Sequence, residues 1–212
     1  MGRVRARTET ELQARKKEIL EAAAEQIMTM DYDDITLATI SEMTSISRPS
    51  MYHYYDNKEN VFIDLLIREY DELRQDLEPL LKRKVGRERF CRKLSSILWE
   101  RQLLLKLLSL QLPVWRHEYS DENLSRFVSE SLPYQETLKE VLIKQFPNAT
   151  AEQRNMFRIQ FSVYCNSLYV IENLPQGQMV AMEKEKVFDS IPRGEEICCE
   201  GLMLLSAVMT DQ

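Results

Sequence analysis

The sequence contains few of the residues that interrupt helices. Only five of its 212 residues are glycine and seven are proline, whereas 44% are apolar, which is enough for a substantial core. Apolar residues recur every third or fourth position through long segments that short breaks separate. These features predict an all-α protein, and the length allows one or two domains.

Residues that build enzyme and metal sites are also scarce. His53 and His117 are the only histidines, and the chain has no GxSxG, no HExxH and no glycine-rich phosphate loop. The cysteines show no CxxC spacing, so we expect reduced, mostly buried thiols, with redox sensing as the alternative. They are Cys91, Cys165, Cys198 and Cys199. The sequence therefore predicts no enzyme, no metal site and no cofactor.

Long uncharged apolar runs are missing as well. No stretch reaches eighteen residues, so we expect no transmembrane helix and no membrane partner. The leucine-rich run 103–112 is interrupted by polar residues and indicates a buried core helix. The basic residues 1–7 are followed by no hydrophobic signal region, which predicts a cytoplasmic location.

The segment 36–58 has the layout of a helix-turn-helix, in which two short helices are joined by a tight turn. Thr36 is expected to cap the first helix, because its hydroxyl can accept a hydrogen bond from a free backbone N–H. Ile40 and Met43 are three residues apart and are expected to bury against neighbouring helices. Ile46, the one apolar residue of the turn, is expected to fill the angle between the helices.

The second short helix has the features of an element that lies in the major groove of DNA. Ser47 is its expected cap, and Pro49 lies in its first turn, where no backbone N–H is missed. Met51 and Tyr55 are expected to face inward. The side chains expected to face outward or sideways are Arg48, Ser50, Tyr52 and Tyr54. Arginine can donate twice to a guanine edge, and serine and tyrosine hydroxyls suit phosphate oxygens.

Residues 15–66 resemble the DNA-binding domain of the TetR/AcrR family of bacterial transcriptional repressors. The family's usual run is Ile-Ala in the second helix, a Gly-Val-Ser turn, a small residue, Leu-Tyr, an aromatic pair and Lys-Glu. At these places the chain has Ile40-Ser41, Ser45-Ile46-Ser47, Ser50, Met51-Tyr52, Tyr54-Tyr55 and Lys58-Glu59. The candidate DNA contacts are thus Thr36, Ser47, Arg48, Pro49, Ser50, Tyr52, Tyr54 and Lys58.

The chain departs from the family pattern in the turn. Ser45 stands where glycine is usual, and a non-glycine residue with positive φ costs roughly 1 kcal/mol. Ser41 stands where a small alanine is usual. We therefore expect a turn that is less stable than in most members of the family.

Charge is distributed unevenly along the chain. The formal net charge is −6, yet the first seventeen residues carry six cations and two carboxylates. We expect residues 1–12 to form a basic flexible arm, which either follows DNA phosphates or is a solvated tail. From residue 18 to residue 56 the balance turns acidic. A DNA-binding surface in that region would depend on a few placed cations.

The apolar spacing predicts where the helices lie. A first helix over 13–30 has an apolar stripe that consists of Ile19, Leu20, Ala23, Ala24, Ile27 and Met28. A long helix over 58–82, capped by Asn57, carries Phe62, Leu66, Tyr70, Leu73 and Leu77 and is expected to link two domains. Further helices are predicted at 87–111, 122–146, 150–174 and 194–209, with a loop at 114–121 after Pro113, a cap at Thr150 and a charged short helix or loop at 178–190. We assign 13–58 to a helix-turn-helix DNA-binding domain and 59–212 to a larger helical domain for effector binding and dimerisation.

Two further surfaces are expected. One recognition helix covers a half-site, so a homodimer is predicted, and the resemblance places its contact on the last two long helices. Candidate interface residues are Val163, Cys165, Asn166, Leu202 and Leu205. A pocket for an apolar or aromatic small molecule is expected between residues 87 and 174, with plain core packing as the alternative for each residue. Its candidate lining is Trp99, Trp115, Phe127, Tyr134, Phe161 and Tyr164.

The sequence therefore favours a transcriptional repressor that a small-molecule effector releases from a palindromic operator in double-stranded DNA. The alternative is a helical DNA-binding protein whose second domain recruits a protein partner, for which the segment 175–193 is suited. The sequence does not separate the two.

Overall fold

The computed structural model describes residues 9–118, 120–187 and 194–209, except for the side chains of 111–118. The regular elements of the described residues are all helical, as predicted. They are α1 Glu9–Thr29, α2 Leu37–Glu42, α3 Arg48–Met51, α4 Lys58–Leu77, α5 Pro79–Lys82, α6 Arg87–Glu100, α7 Gln102–Glu118, α8 Asp121–Gln145, α9 Ala151–Glu172, α10 Gln176–Lys184 and α11 Glu195–Ser206, with short 3-10 helices at Tyr32–Asp34 and Ala207–Met209.

The first helix begins earlier than predicted. It starts at Glu9, so residues 9–12 form its first turn and do not belong to the arm. Glu9 and Glu11 stabilise that turn, since carboxylates are favourable at the positive end of a helix dipole. The rest of the predicted arm lies outside the described residues. Of the predicted stripe, Ile19 and its fourth-residue repeats are buried, whereas Met28 is exposed.

The predicted cap residues stand at the starts of α2, α3, α4 and α9. Thr36 and Thr39 form a reciprocal capping box at the start of α2. Asn57 Oδ1 accepts the backbone N–H of Asn60 at 2.9 Å at the start of α4. Thr150 forms the predicted capping box at the start of α9. Ser47 stands at the N-cap position of α3 but its hydroxyl makes no capping bond.

The fourth helix connects the two parts of the fold. It packs against α1 on the amino-terminal side and against α6, α7 and α8 on the other. All five of its predicted core residues are buried: Phe62, Leu66, Tyr70, Leu73 and Leu77. The predicted single helix over 58–82 is divided in the structure, because Pro79 begins the separate short helix α5.

The carboxy-terminal part is a layered bundle in which α9 packs against α7 and α11, and α11 packs against α6. The predicted loop at 114–121 is wrong, because α7 continues through Pro113 to Glu118. A proline removes one backbone hydrogen bond, and the buried leucines at 104, 105, 107 and 108 hold the preceding turns in place. No residue of α10 is buried.

The four cysteines lie mostly inside the protein, as predicted. Cys91, Cys165 and Cys198 are buried, Cys199 is partly buried, and all four are free thiols. Within the described ranges, no helix has the length and apolar character needed to cross a bilayer.

Candidate nucleic-acid interface

The recognition element is the segment 47–55, which begins at the cap of α3. The amides of Tyr54 and Tyr55 both donate to the Met51 carbonyl, at 2.9 and 3.1 Å, and the amide of His53 donates to the Ser50 carbonyl at 3.1 Å. These bonds continue a tight helical path beyond the four residues of α3. The element therefore presents about two turns of side chains.

One face of the recognition element is buried and the opposite face is exposed. Met51 and Tyr55 are buried, as predicted. Tyr54 is buried as well, so the prediction that it faces outward or sideways is wrong. Because the path includes bonds between residues three apart, Tyr54 returns to the side of Met51.

The exposed face carries the polar and aromatic side chains that are suited to DNA. Arg48 and Pro49 are exposed, Ser50 is half-buried, and Tyr52 is 55% exposed. His53, which is not among the predicted contacts, is also exposed. Its spacing of four residues from Pro49 puts the two on one face, and this signal is present in the sequence. Ser47 and Thr36 are exposed at the starts of α3 and α2.

The first helix of the motif supports this surface from behind. Ile40 and Ile46 are buried, as predicted. Met43, predicted to be buried, is 42% exposed. It is the C-cap residue of α2, so its side chain lies where the helix ends and the core no longer covers it.

The turn between α2 and α3 is held by a carboxylate from α1. Glu18 accepts the Ser45 backbone N–H on one oxygen and the Ser45 hydroxyl, at 3.2 Å, on the other. Arg15 donates to the same hydroxyl and pairs with Glu18 at 3.0 Å. Among the described residues only Lys186 is a non-glycine residue with positive φ, so the strain expected at Ser45 is not found.

Glu18 should make this turn sensitive to acid. The Ser45 N–H, then the Ser45 hydroxyl, lowers the pKa of Glu18 below its ordinary value. The resulting stability is present above the unfolded-state pKa and is lost as the pH falls through the folded-state pKa. We expect Glu18→Gln to cost about 1 kcal/mol at pH 7, after allowing for partial exposure, and less near pH 3.

Urea unfolding of Glu18→Gln at both pH values would measure this difference. Glu25→Gln, which changes an exposed carboxylate of the same helix, is the control and should show no such dependence. An equal cost of Glu18→Gln at pH 7 and pH 3 would contradict an ionised carboxylate in the turn.

The predicted phosphate contact of Lys58 competes with a contact inside the chain. The Lys58 ammonium donates to the Tyr32 carbonyl at 2.9 Å and lies 4.1 Å from the centroid of the Tyr32 ring. This fastens the start of α4 to the segment that precedes α2. Lys58 is half-buried, so it lies at the edge of the exposed surface.

A single carboxylate joins the recognition element to the carboxy-terminal part. Asp64 of α4 accepts the Tyr55 hydroxyl at 2.8 Å and Arg126 of α8 at 2.5 Å. Lys16 of α1 lies 3.8 Å from the same carboxylate. The pKa of Tyr55 is raised, first by burial and then by the charge of Asp64. We call this group the Asp64 junction.

The carboxy-terminal part contains a small cavity of about 30 Å³ between α4, α6, α7, α8 and α9, which is room for about one or two water molecules. Of the six predicted pocket residues, Tyr134 and Phe161 line it. The other described members lie elsewhere. Phe127 packs on the Tyr70 ring at 5.8 Å, Trp99 lies beside Gly194, and Tyr164 donates to the Ile197 carbonyl at 2.6 Å. The Trp115 side chain lies outside the described residues.

The predicted dimer residues separate into exposed and buried ones. Val163 is 63% exposed, and Asn166 and Leu205 are half-buried. Leu202 and Cys165 are buried within the chain's own core, contrary to the prediction, because α11 packs on α6 and α9. Exposed apolar residues not included in the prediction lie on the same two helices: Met156, Ile159, Val170, Ile171 and Leu204.

Comparison with known sequences finds relatives of the amino-terminal part. Residues 19–65 match the family of bacterial regulatory proteins, tetR family. The HTH-type transcriptional repressor AcnR of Corynebacterium jeikeium is 36% identical over 27% of this chain and 31% of its own length. The negative regulator IcaR of the biofilm operon icaADBC, from Staphylococcus epidermidis, is 35% identical over 27% of this chain and 37% of its own length. The match thus spans about a third of these relatives.

Comparison with solved structures extends the likeness to the whole fold. The fatty acid degradation regulator FadR of Bacillus halodurans has a TM-score of 0.58 at 14% identity and covers 90% of this chain and 94% of its own. FadR of Bacillus subtilis in complex with stearoyl-CoA has a TM-score of 0.60 at 16% identity and covers 91% of this chain and 98% of its own. At these identities the likeness establishes the fold.

Proposed function

We propose that this chain, whose amino-terminal domain belongs to the TetR family of bacterial regulatory proteins, is a ligand-responsive transcriptional repressor that binds a palindromic operator as a homodimer. The observation that carries the proposal is the exposed face of the recognition element, with Arg48, Tyr52 and His53 on a segment whose opposite face is packed. We assign DNA binding to residues 13–58, and effector binding and dimerisation to 59–212.

The exposed face has the chemistry to read a major groove. Arg48 is free to donate two hydrogen bonds to the O6 and N7 of a guanine. Tyr52 and Ser50 offer hydroxyls to phosphate oxygens, and contacts of this kind fix the register of the element on the duplex. Since the chain is acidic overall, these few groups and the Lys58 ammonium must provide most of the described contact surface.

The test is to purify the chain, identify its operator by genomic footprinting, and compare variants on that operator. Arg48→Ala should lower affinity for the operator by roughly 5–150-fold, since a bidentate arginine–guanine pair contributes about 1–3 kcal/mol of discrimination. It should change affinity for random duplex much less. Fluorescence anisotropy at fixed salt concentration measures both.

Two variants provide the controls for Arg48. Tyr52→Phe removes only a hydroxyl, and we expect it to weaken operator and random duplex alike. Arg92→Ala removes an exposed arginine of α6 and should change neither. Equal losses of Arg48→Ala on operator and random duplex would contradict base reading by Arg48.

The Asp64 junction is the proposed route by which the effector domain acts on the recognition element. Arg126 lies on α8 and touches no predicted DNA contact, yet it shares one carboxylate with Tyr55. Movement of α8 would therefore change the support behind the recognition element. We expect Arg126→Met to alter operator affinity by up to about 30-fold, which corresponds to a coupling of about 0.5–2 kcal/mol.

Anisotropy with Arg126→Met and Asp64→Asn, alone and together, tests this route. The two changes should be non-additive, because they remove the same contact. Lys139→Met, which changes an exposed cation of the same helix, is the control. Independent, additive effects of Arg126→Met and Asp64→Asn would contradict the route.

The effector domain is proposed to bind a small molecule with an apolar or aromatic body. The solved FadR of Bacillus subtilis, which has this fold, was crystallised with stearoyl-CoA, so the architecture can accommodate an acyl ligand. In this chain the cavity wall is mostly apolar, with five leucines and Phe161, and at about 30 Å³ it would have to open for such a ligand.

Recruitment of a protein partner is the second candidate, because every residue of α10 is at least partly exposed. Thermal shift against a small-molecule library separates the two functions. A specific effector should raise the melting temperature by mass action. Deletion of 176–184 should abolish regulation only under the recruitment hypothesis.

A further inference from the structure

The wall of the small cavity between α4, α6, α7, α8 and α9 contains a cluster of polar side chains among mostly apolar ones. Arg158 of α9 and Gln135 of α8 lie beside the phenol rings of Tyr134 and Tyr70, which stack at 4.6 Å. The rest of the lining is predominantly apolar: Leu73, Leu98, Leu104, Leu108, Leu138 and Phe161. A cation is thus placed at the edge of an apolar chamber inside the effector domain.

As far as the structure describes the chain, Arg158 lacks the carboxylate partner that three other partly buried arginines have. Arg68, Arg101 and Arg126 each pair with at least one carboxylate. Within the described part of the chain Arg158 has no ion pair, and its one hydrogen bond runs from Nη2 to the amide oxygen of Gln135 at 3.0 Å. Its Nε is buried and has no acceptor there.

The tyrosines beside it are also available to a ligand. Burial, acting first, and the neighbouring Tyr70 raise the pKa of Tyr134, while Arg158 is close enough to oppose that rise. Neither Tyr134 nor Tyr70 makes a hydrogen bond through its hydroxyl to a described residue. Tyr70, Tyr134 and Arg158 therefore all line one small space, and no carboxylate is among the lining residues that the structure describes.

We propose that Arg158 and Tyr134 bind the carboxylate of the effector, whose apolar body lies among the leucines of α4, α6 and α7. A partly buried guanidinium with a buried, unpaired Nε gains from an anionic partner, and a carboxylate accepts two parallel N–H bonds from arginine. The present volume of about 30 Å³ accepts little more than the carboxyl group. The body must displace Leu104 and Leu108, which connects ligand entry to movement of α7.

This inference rests on the proposed function for its regulatory meaning, but not for the binding event. Calorimetric titration of the full chain should use octanoate and 4-phenylbutyrate as probes, each with its alcohol as the neutral counterpart. We expect at least one carboxylate to bind tenfold or more tightly than its alcohol. Arg158→Met should abolish that preference, and Lys139→Met should keep it.

A second measurement does not depend on the choice of probe. If Arg158 serves to bind an anion, Arg158→Met should leave the melting temperature of the free protein unchanged or raise it, because an unpaired charge has been removed. If Arg158 is structural, the variant should melt at a clearly lower temperature, and the proposal is overturned. Tyr134→Phe, which removes only the hydroxyl and leaves Arg158 in place, should weaken carboxylate binding several-fold, and unchanged binding would remove Tyr134 from the site.

Other outcomes separate this inference from the proposed function. Carboxylate binding that depends on Arg158 but leaves operator affinity unchanged would support the site and count against ligand-controlled repression. Equal binding of carboxylates and alcohols, or no carboxylate binding at all, would overturn the anion site and leave the DNA-binding function intact.

Discussion

Replacing Gly201 by alanine is expected to lower the free energy of unfolding by about 1–3 kcal/mol, the usual cost of forcing an extra methyl group into a packed site. A Cβ at this position would lie 2.8 Å from Cε1 of Tyr164 and nearer still to Cζ and the hydroxyl oxygen of the same ring. The Tyr164 hydroxyl donates to the Ile197 carbonyl at 2.6 Å, so the ring cannot move aside without losing that bond. Gly201 therefore sets how closely α11 approaches α9.

A matched control for this change is present in the same chain. A methyl group added at Gly177 of α10 would meet nothing within 4 Å beyond its chain neighbours and the adjacent backbone of its own helix, and Gly177 does not have positive φ, so Gly177→Ala should be neutral or slightly stabilising. Urea unfolding measures both variants. In the background of Tyr164→Ala the cost of Gly201→Ala should largely disappear, and an unchanged cost there would contradict the steric account.

Features set by neighbouring residues are predictable from the sequence. The predicted caps at Thr36, Asn57 and Thr150 are confirmed, because a hydroxyl or amide three residues before a free backbone N–H is a purely local arrangement. The buried face of α4 is predictable for the same reason, since its 3.6-residue period runs undisturbed over five turns.

Features set by tertiary packing are not predictable in the same way. The prediction for Tyr54 is wrong, because an ideal α-helical period does not apply to a short element that tightens after Met51. Leu202 is not at an exposed dimer surface, because the sequence of α11 does not show which of its sides meets α6 of the same chain. The strain expected at Ser45 is absent, because Glu18, twenty-seven residues away, supplies the partner that fixes the turn.

The candidate pocket also depends on tertiary packing, so the sequence predicts it only in part. Aromatic residues suggest a pocket, but of the five predicted residues whose side chains the structure describes, only Tyr134 and Phe161 line the cavity. Its wall comes from five helices whose mutual rotation is not encoded locally. Arg158 looks like an ordinary exposed helix cation in the sequence. It becomes a candidate for ligand binding only because the structure shows that, among the described residues, it has no carboxylate partner and bonds only to Gln135.

Val163→Glu is expected to convert the protein to a monomer and to weaken operator binding by about 10²–10⁴-fold. Val163 is 63% exposed in the centre of α9, and Ile159 and Val170 extend the same exposed apolar surface. Leu204 is 76% exposed on α11, which packs beside α9. A surface of this kind on two neighbouring helices is typical of a protein–protein contact, and a charge in its centre would be buried without a partner.

The loss of DNA affinity follows from the geometry of a palindrome. In the proposed dimer each recognition element reaches one half-site, and linking two of them makes the second binding event intramolecular, a gain of about 10²–10⁴ without any new contact. Val163→Glu leaves the recognition element untouched, so affinity for an isolated half-site should be unchanged. Val128→Glu, on the exposed side of α8, is the control and should remain dimeric. Sedimentation equilibrium and anisotropy measure both effects, and a Val163→Glu protein that stays dimeric at micromolar concentration would place the dimer contact elsewhere on the chain.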